Sequence, residues 1–269
     1  MDRRQFLFRS LAGTGALSLF DSAQIAATQV QIDRPSSGRT LHFEARPAAI
    51  TIDSSRTAVL VVDMTNDFGE KGGMFERAGL DISLIQKAVA PTARVLAASR
   101  RAGIPVIYLK MAFQPDLSDV GPHDSPNYRG HAQVNVGASV RAPNGAPSRI
   151  AIRDTWNSEV LTALKPEASD IQIYKNRFSG FYATELDATL KRLGARTLIV
   201  TGCTTSVCVE STIRDATFRD YRPVLLTDCT AEPIGKELTR SNHEASLLLV
   251  ETVFGWTATS EAFVRVAAA

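Results

Sequence analysis

Short apolar runs alternate along the chain with longer segments in which apolar residues recur every three or four positions. Runs rich in β-branched residues predict buried strands, and the longer spacing predicts amphipathic helices. The predicted strands are 58–63, 106–110, 171–175, 198–201, 224–227 and 249–254. The predicted helices are 84–102, 157–164, 184–193, 208–219 and 240–248. This alternation indicates an α/β fold of three layers, in which helices cover both faces of a doubly wound, mostly parallel sheet of about six strands.

Two segments depart from this alternation. Residues 115–151 show neither a strand nor a helix pattern over a long stretch, and loops of that length commonly act as lids or assembly arms. Residues 28–50 contain the loop signal Pro-Ser-Ser-Gly at 35–38, which predicts an N-terminal arm. We therefore expect the main domain at 51–269, with the arm and a distinct segment, 1–27, in front of it.

The segment 1–27 begins with the pair Arg3 and Arg4, followed by a weakly apolar run. A pair of arginines before a mild apolar region is typical of twin-arginine export signals, which carry folded proteins across the cytoplasmic membrane. This interpretation places the protein in the periplasm or outside the cell. The alternative is a disordered basic tail on a cytoplasmic protein.

Composition limits the kinds of partner that the chain can have. A net charge of +2 on 269 residues argues against a nucleic-acid partner. No stretch approaches the roughly 20 apolar residues of a membrane-spanning helix, so no stable membrane anchor is expected. Three cysteines are too few, and odd in number, for a disulfide framework.

Cys208 lies where a predicted strand turns into a predicted helix. The β-branched run 197–201 is followed by a turn of small residues, and Cys208 comes at the start of the next helix. The positive end of a helix dipole favours a thiolate, which is the nucleophilic form of cysteine. The alternative is a small buried thiol that packs the helix against the sheet.

Asp63 and Lys175 each stand at the end of another predicted strand. The carboxyl ends of parallel strands form the edge at which ligands bind in open α/β sheets. Together with Cys208, these residues would supply a base, a cation and a nucleophile at one edge. Taken singly, the aspartate could be a turn residue and the lysine a solvated surface residue.

The segments around these residues resemble a known superfamily. The stretches TAVLVVDM, GGMFERAGLDIS, KNRFSGF, TGCTTSVCVESTIRDA and ETVFGW are similar to those of isochorismatase-like cysteine hydrolases, and in particular of ureidoacrylate amidohydrolases and biuret hydrolases. The resemblance implies that Asp63, Lys175 and Cys208 form a catalytic triad. It also implies a cis peptide bond between Cys203 and Thr204, and an oxyanion hole built from the backbone N–H groups of Thr204 and Cys208.

The implied reaction is cleavage of a C–N bond in a small ureido, carbamoyl or linear amide substrate through a thioester, with no cofactor. Relatives of this kind are commonly homo-oligomers. A nicotinamidase-type hydrolase would bind a metal through clustered ligands. The four histidines of this chain are scattered along the sequence, at His42, His123, His131 and His243. No metal site is therefore expected. The resemblance also leaves open an isochorismatase-type hydrolase or a non-catalytic binding protein on the same fold.

Two aromatic residues are candidates for contact with the substrate. Phe68 and Phe113 each follow the end of a predicted strand, so both are expected near the reactive edge. His123 and His131 are expected at the surface or in a lid, because both fall in the stretch 115–151. Cys229, after the fifth strand, is expected to be a buried core thiol.

The export interpretation can be tested by cell fractionation. Wild-type protein should appear outside the cytoplasm, whereas Arg3→Lys/Arg4→Lys should stay inside, because the export machinery recognises the arginine pair. Both proteins are measured by immunoblot in periplasmic and cytoplasmic fractions. Equal cytoplasmic retention of the two would contradict the prediction.

Overall fold

A computed structural model describes residues 38–269 of the chain. The predicted export segment 1–27 and the first part of the predicted arm, 28–37, lie outside the described residues. The strands are β1 Thr40–Phe43, β2 Ile50–Asp53, β3 Thr57–Val62, β4 Val106–Met111, β5 Ser139–Arg141, β6 Pro147–Arg149, β7 Ile171–Lys175, β8 Thr197–Cys203, β9 Arg222–Ala231 and β10 Trp256–Ala258. The helices are α1 Asn66–Gly69, α2 Met74–Arg77, α3 Ser83–Arg101, α4 Pro126–Gln133, α5 Leu186–Arg192, α6 Glu210–Thr217, α7 Asn242–Leu249 and α8 Ser260–Ala267.

The central sheet contains six parallel strands in the order β10-β9-β8-β3-β4-β7. Its middle strand, β3, is buried along its whole length, as expected for a strand covered on both faces. Val59 and Val61 belong to the core shared with α3 and α8, whereas Leu60 and Val62 belong to the core shared with α5 and α6. The predicted three-layer α/β fold is therefore confirmed.

The predicted sixth strand at 249–254 is wrong. Helix α7 continues into a π-helical turn, Val250–Phe254, and the sixth strand begins only at Trp256. Val250 is buried while Val253 is exposed, which is a helical pattern. The chain leaves the helix at Gly255, where a side chain would place its Cβ 2.3 Å from the Pro223 carbonyl oxygen.

The predicted helix at 157–164 is also wrong. The segment contains two 3-10 turns, Trp156–Ser158 and Thr162–Leu164, separated by extended backbone. The Asn66 N–H donates to the Glu159 carbonyl oxygen at 2.9 Å, and the Leu161 N–H donates to the Met64 carbonyl oxygen at 3.0 Å. These bonds to the segment that follows β3 take the place of helical hydrogen bonds.

The described part of the predicted arm belongs to the domain. Strand β1 pairs antiparallel with β2, and its alternate residues Leu41 and Phe43 are buried in the core. The Phe43 ring meets the Phe263 ring of α8 edge-on, with centroids 5.8 Å apart. The apolar side chains of β1 thus complete the core over α8.

The stretch 115–151 is not an uninterrupted loop. It contains helix α4, whose first turn is capped by the Ser125 hydroxyl accepting from the Tyr128 N–H at 3.1 Å. The hairpin of β5 and β6 follows. The carboxylate of Asp67 ties the end of this stretch to α1, because it accepts from the Ala151 N–H at 2.7 Å. Across residues 38–269, no helix is both long and apolar enough to cross a membrane.

Candidate active site

Three predicted residues meet at the carboxyl edge of the sheet. Asp63 follows β3, Lys175 ends β7, and Cys208 lies just beyond β8. The Lys175 Nζ atom is 2.6 Å from Asp63 Oδ2, and both side chains are 0% exposed. The Cys208 thiol lies close enough to both for their charges to shift its pKa. The structure thus brings together the residues predicted to be the base, the cation and the nucleophile.

Strand β4 fixes the orientation of the Asp63 carboxylate. Asp63 has a positive φ of 52°, a conformation that aspartate tolerates better than most residues. Its N–H donates to the Leu109 carbonyl oxygen at 2.8 Å, and its Oδ1 accepts from the Met111 N–H at 2.7 Å. Because Oδ1 is held by the backbone, Oδ2 is the oxygen that faces Lys175.

Lys175 is a charged amine buried beside that carboxylate. Its Nζ also donates to the Arg177 carbonyl oxygen at 3.3 Å. Burial lowers the pKa of Lys175, but the charges of Asp63 and Cys208 raise it further, so the net shift of its pKa is upward. Lys175 is therefore an ammonium ion over the physiological pH range.

The loop carrying Cys208 sits close to Asp63 because β8 approaches β3 very closely. A Cβ at Gly202 would lie 2.0 Å from the Val62 carbonyl oxygen, and Gly202 has a φ of +117°. Only glycine fits there. The next peptide bond, Cys203–Thr204, is cis, the isomer that the resemblance implies. A π-helical turn, Thr205–Val209, then carries Cys208.

The surroundings of Cys208 oppose the expected thiolate. Burial raises the pKa of the thiol above its ordinary value, Lys175 lowers it, and the Asp63 carboxylate raises it. Cys208 lies within the π-helical turn, two residues before α6 begins at Glu210. Desolvation of the charged form outweighs the charge of Lys175, so the net shift of the pKa of Cys208 is upward.

Two backbone N–H groups beside the thiol are candidates for an oxyanion hole. The Thr204 N–H has no acceptor among residues 38–269, and the Cys208 N–H has none in that range outside its own π-helical turn. Both residues are buried, at 3% and 4% exposed. Buried N–H groups without partners are rare in proteins, so the Thr204 amide is available to a substrate oxygen, and the Cys208 amide is the second candidate.

The two aromatic candidates differ in their surroundings. Phe68 is packed edge-on against Phe75, with centroids 4.7 Å apart, inside the hydrophobic core. Phe113 is fully buried and meets the ring of His131 edge-on at 5.0 Å. The other neighbour of His131 is the Phe178 ring, stacked at 5.7 Å, three residues after Lys175. Phe113 therefore belongs to an aromatic cluster on the Lys175 side of the edge.

His131 was expected at the surface or in a lid, and the structure shows that it is not a surface residue. The residue is only 7% exposed. Its Nδ1 donates to the Asn127 carbonyl oxygen at 2.6 Å, since a carbonyl can only accept. Burial lowers the pKa of His131, and the nearby charges of Lys175 and Arg177 lower it further. The signal in the sequence was the four-residue spacing of Asn127 and His131 behind a Ser-Pro helix start.

The remaining cysteines and histidines do not form a further reactive cluster. Cys203 is fully buried, and its Sγ donates to the Asp63 carbonyl oxygen at 3.2 Å. Cys229 is a core thiol, and burial raises its pKa to about 12. Within the described range, no three His, Cys, Asp or Glu side chains are grouped so that they could hold a metal ion.

A family model for the isochorismatase domain matches residues 57–262. The chain belongs to this family. The matched range begins with β3 and ends within α8, so it covers the whole central sheet and all three residues of the buried cluster.

Several similar proteins are named as amidohydrolases or amidases. A ureidoacrylate amidohydrolase, RutB, of Methylobacterium radiotolerans is 39% identical over 81% of this chain and 82% of its own length. The RutB of Variovorax paradoxus is 38% identical over 82% of this chain and 85% of its own length. A cysteine hydrolase structure from Pseudomonas syringae pv. phaseolicola has a TM-score of 0.67 at 30% identity, covering 80% of this chain and 94% of the other. An N-carbamoylsarcosine amidase structure from Thermoplasma acidophilum has a TM-score of 0.57 at 25% identity. The match covers 77% of this chain and 97% of the other.

The protonated state of Cys208 predicts an unusual pH profile for alkylation. The rate at which iodoacetamide modifies Cys208 should keep rising up to pH 10, because burial holds the pKa of the thiol above its ordinary value. The rate is measured by mass spectrometry of the Cys208 peptide between pH 6 and pH 10.

The control is the same chain unfolded in urea, in which the rate should level off near pH 9, as it does for an ordinary cysteine with a pKa of about 8.5. A plateau below pH 8 in the folded protein would show that the site holds a thiolate.

Proposed function

We propose that the protein is a cysteine-dependent amidohydrolase that cleaves a C–N bond in a small ureido, carbamoyl or linear amide substrate through a thioester. The observation that carries this proposal is the buried Asp63–Lys175 pair in contact with Cys208, beside two available N–H groups. Together these groups supply what acyl transfer requires: a base, a nucleophile and donors for the oxyanion.

In the first half of the proposed reaction, the protonated Cys208 attacks the substrate carbonyl carbon and passes its proton to Asp63. The electron pair of the carbonyl moves to its oxygen, which the N–H groups of Thr204 and Cys208 stabilise. One such donor is typically worth about 3 kcal/mol of barrier. Lys175 holds the Asp63 carboxylate in place through the 2.6 Å ion pair, so that it is oriented to accept the proton.

In the second half, Asp63 returns this proton to the leaving nitrogen as the C–N bond breaks. Water then attacks the thioester, and Asp63 accepts the proton of the water. The sulfur leaves and recovers a proton, which restores the thiol. Because Asp63 serves both halves, its fixed orientation on β4 matters as much as its charge.

A ureide is the substrate class that we propose. The names of two of these relatives, ureidoacrylate amidohydrolase and N-carbamoylsarcosine amidase, both describe enzymes for a carbamoyl or ureido group. A carbonyl flanked by nitrogen is a poor electrophile, and hydrolysing it depends on the oxyanion donors and on protonation of the leaving nitrogen. In the proposed mechanism, the N–H groups of Thr204 and Cys208 are these donors, and Asp63 protonates the nitrogen. We expect release of ammonia or carbamate.

We also propose that the enzyme is exported by the twin-arginine pathway and that it forms a homo-oligomer. The arginine pair, Arg3 and Arg4, supports the proposed export.

An apolar patch supports the proposed homo-oligomer, because Phe218 is 70% exposed and its ring lies 6.4 Å from that of Phe254. Exposed apolar patches commonly mark interfaces between proteins.

Replacement of the nucleophile should abolish turnover. Cys208→Ser should lower the rate of hydrolysis to below a few per cent of wild type, because a serine hydroxyl is a far weaker nucleophile in this site. The rate is followed by ammonia release, and the fold by circular dichroism.

The matched control is Cys229→Ser. Cys229 lies in the core away from the triad, so this variant should keep most of the activity. Cys208→Ser with substantial activity would disprove the covalent mechanism.

The substrate class is tested with five compounds under one set of conditions. Ureidoacrylate, biuret and an N-carbamoyl amino acid should be hydrolysed faster than nicotinamide or isochorismate. The readout is ammonia for the amides and ureides, and chromatography of the product for isochorismate. Turnover of nicotinamide or isochorismate well above that of every ureide would overturn the proposed substrate class.

A further inference from the structure

A buried carboxylate that the mechanism does not use lies beside the nucleophile loop, which we define as residues 203–209. Glu232 follows β9 at the carboxyl edge and is only 2% exposed. Its Oε2 accepts from the Ser206 N–H at 3.0 Å and from the Ser206 hydroxyl at 2.5 Å, while its Oε1 accepts from the Ile234 N–H at 3.0 Å. It forms no salt bridge with any residue in the range 38–269.

An irregularity in the sheet brings Glu232 to this position. Val200 of β8 pairs with Leu225 of β9, but Gly202 pairs with Thr230. Between these two pairs, one residue of β8 lies opposite four residues of β9, 226–229. This irregularity is a bulge that extends β9 along the edge. The pairing ends at Cys203 and Ala231, so the next residue, Glu232, lies beside the nucleophile loop.

The hydrogen bonds of the loop are divided between two acceptors. The Thr204 carbonyl oxygen accepts from the N–H groups of Val207 and Val209, at 3.2 and 3.1 Å. Glu232 takes the Ser206 N–H. The N–H groups of Thr204 and Thr205 have no acceptor among residues 38–269, and that of Cys208 has none there outside its own π-helical turn. The Glu232 carboxylate thus holds the Ser206 peptide between the two candidate donors, Thr204 and Cys208.

We infer that Glu232 is a positioning residue for the oxyanion hole and acts through Ser206. A charged acceptor binds an N–H and a hydroxyl more tightly than a neutral one does. Without it, the peptide containing the Ser206 N–H is free to rotate, and the neighbouring donors move away from the oxyanion. This inference deepens the proposed function and rests on it for the identity of the nucleophile.

A second, uncharged contact anchors the same loop. The Thr205 hydroxyl is 2.9 Å from the Thr230 hydroxyl and 3.0 Å from Nδ1 of His243. Because this contact does not involve Glu232, the loop stays attached to β9 and α7 when Glu232 is changed. Glu232→Gln should therefore fold, while its amide group can no longer satisfy every donor that the carboxylate accepts.

The test compares two probes of the same thiol. With 4-nitrophenyl acetate, sulfur bonds to the carbonyl carbon, the electron pair moves to oxygen, Asp63 takes the thiol proton, and 4-nitrophenolate leaves. With iodoacetamide, sulfur bonds to a saturated carbon and iodide leaves, so no oxyanion forms. Only the first reaction needs the Thr204 and Cys208 N–H groups.

In full-length Glu232→Gln, acylation of Cys208 by 4-nitrophenyl acetate should slow by roughly tenfold or more, because a displaced oxyanion donor costs part of the 10²–10³-fold effect of losing it. Alkylation by iodoacetamide at the same pH should change by less than about twofold. Both rates are measured on the Cys208 peptide by mass spectrometry, with wild type and Cys208→Ala as references.

Two further variants test whether the effect is specific to the contact between Glu232 and Ser206. Ser206→Ala removes the hydroxyl bond but keeps the N–H bond to Glu232, so it should lower the ratio of acylation to alkylation less than Glu232→Gln does. Glu251→Gln is the matched control, since this glutamate contacts the Thr257 hydroxyl at 3.0 Å and not the loop. The ratio of acylation to alkylation in Glu251→Gln should equal that of wild type.

Three results would overturn the inference: an unchanged ratio in both Glu232→Gln and Ser206→Ala, an equal loss with both probes in Glu232→Gln, or a rise in KM for a ureide with kcat unchanged. The last two would make Glu232 a determinant of thiol reactivity or a substrate contact. Failure of the proposed function is distinct, because wild type and Cys208→Ala would then release 4-nitrophenolate at the same rate.

Discussion

The buried ion pair between Asp63 and Lys175 is the constraint around which the carboxyl edge is organised. Removing two charges from water costs roughly several kcal/mol per ion, and their attraction repays this only where further hydrogen bonds hold both partners. The Met111 N–H and the Arg177 carbonyl oxygen provide those bonds. The ends of three strands, β3, β4 and β7, are therefore fixed relative to one another by a pair that contributes little stability of its own. Its chemistry, rather than its stability, explains why this fold contains it.

The same pair sets the state of the thiol. A carboxylate and an ammonium 2.6 Å apart nearly cancel at a distance, so a neighbouring thiol gains little help towards ionisation. Burial is then the largest influence on the thiol, and it raises the pKa of Cys208 as it does that of Cys203. In the proposed mechanism, the nucleophile is therefore a thiol that loses its proton to Asp63 during the attack. Such a mechanism differs from that of cysteine enzymes that store a thiolate, and it follows from the cation being shared with a carboxylate.

The sequence was sufficient for five of the six strands of the sheet and for the three residues of the cluster, because both depend on local pattern. Apolar β-branched runs end at Asp63 and Lys175, and parallel strands bring such ends to one edge. The errors arose where distant contacts decide. The run 249–254 is compatible with a strand or a helix until the close approach of Gly255 to Pro223 is known. The burial of His131 depends on two rings from other segments, Phe113 and Phe178.

Cys208 contributes both the reacting sulfur and, in the proposed mechanism, one of the two oxyanion donors, so a single placement of its loop must satisfy two geometric requirements. The sulfur has to reach Asp63, while the N–H has to face the carbonyl oxygen. Contacts with β3 alone cannot ensure both, because the Gly202 approach fixes only the start of the loop. The bulge in β9 supplies the second anchor, since it places Thr230 and Glu232 against Thr205 and Ser206. Strand β9 carries none of the three residues of the cluster, yet it fixes the loop from the side opposite Lys175, as a reaction that depends on orientation requires.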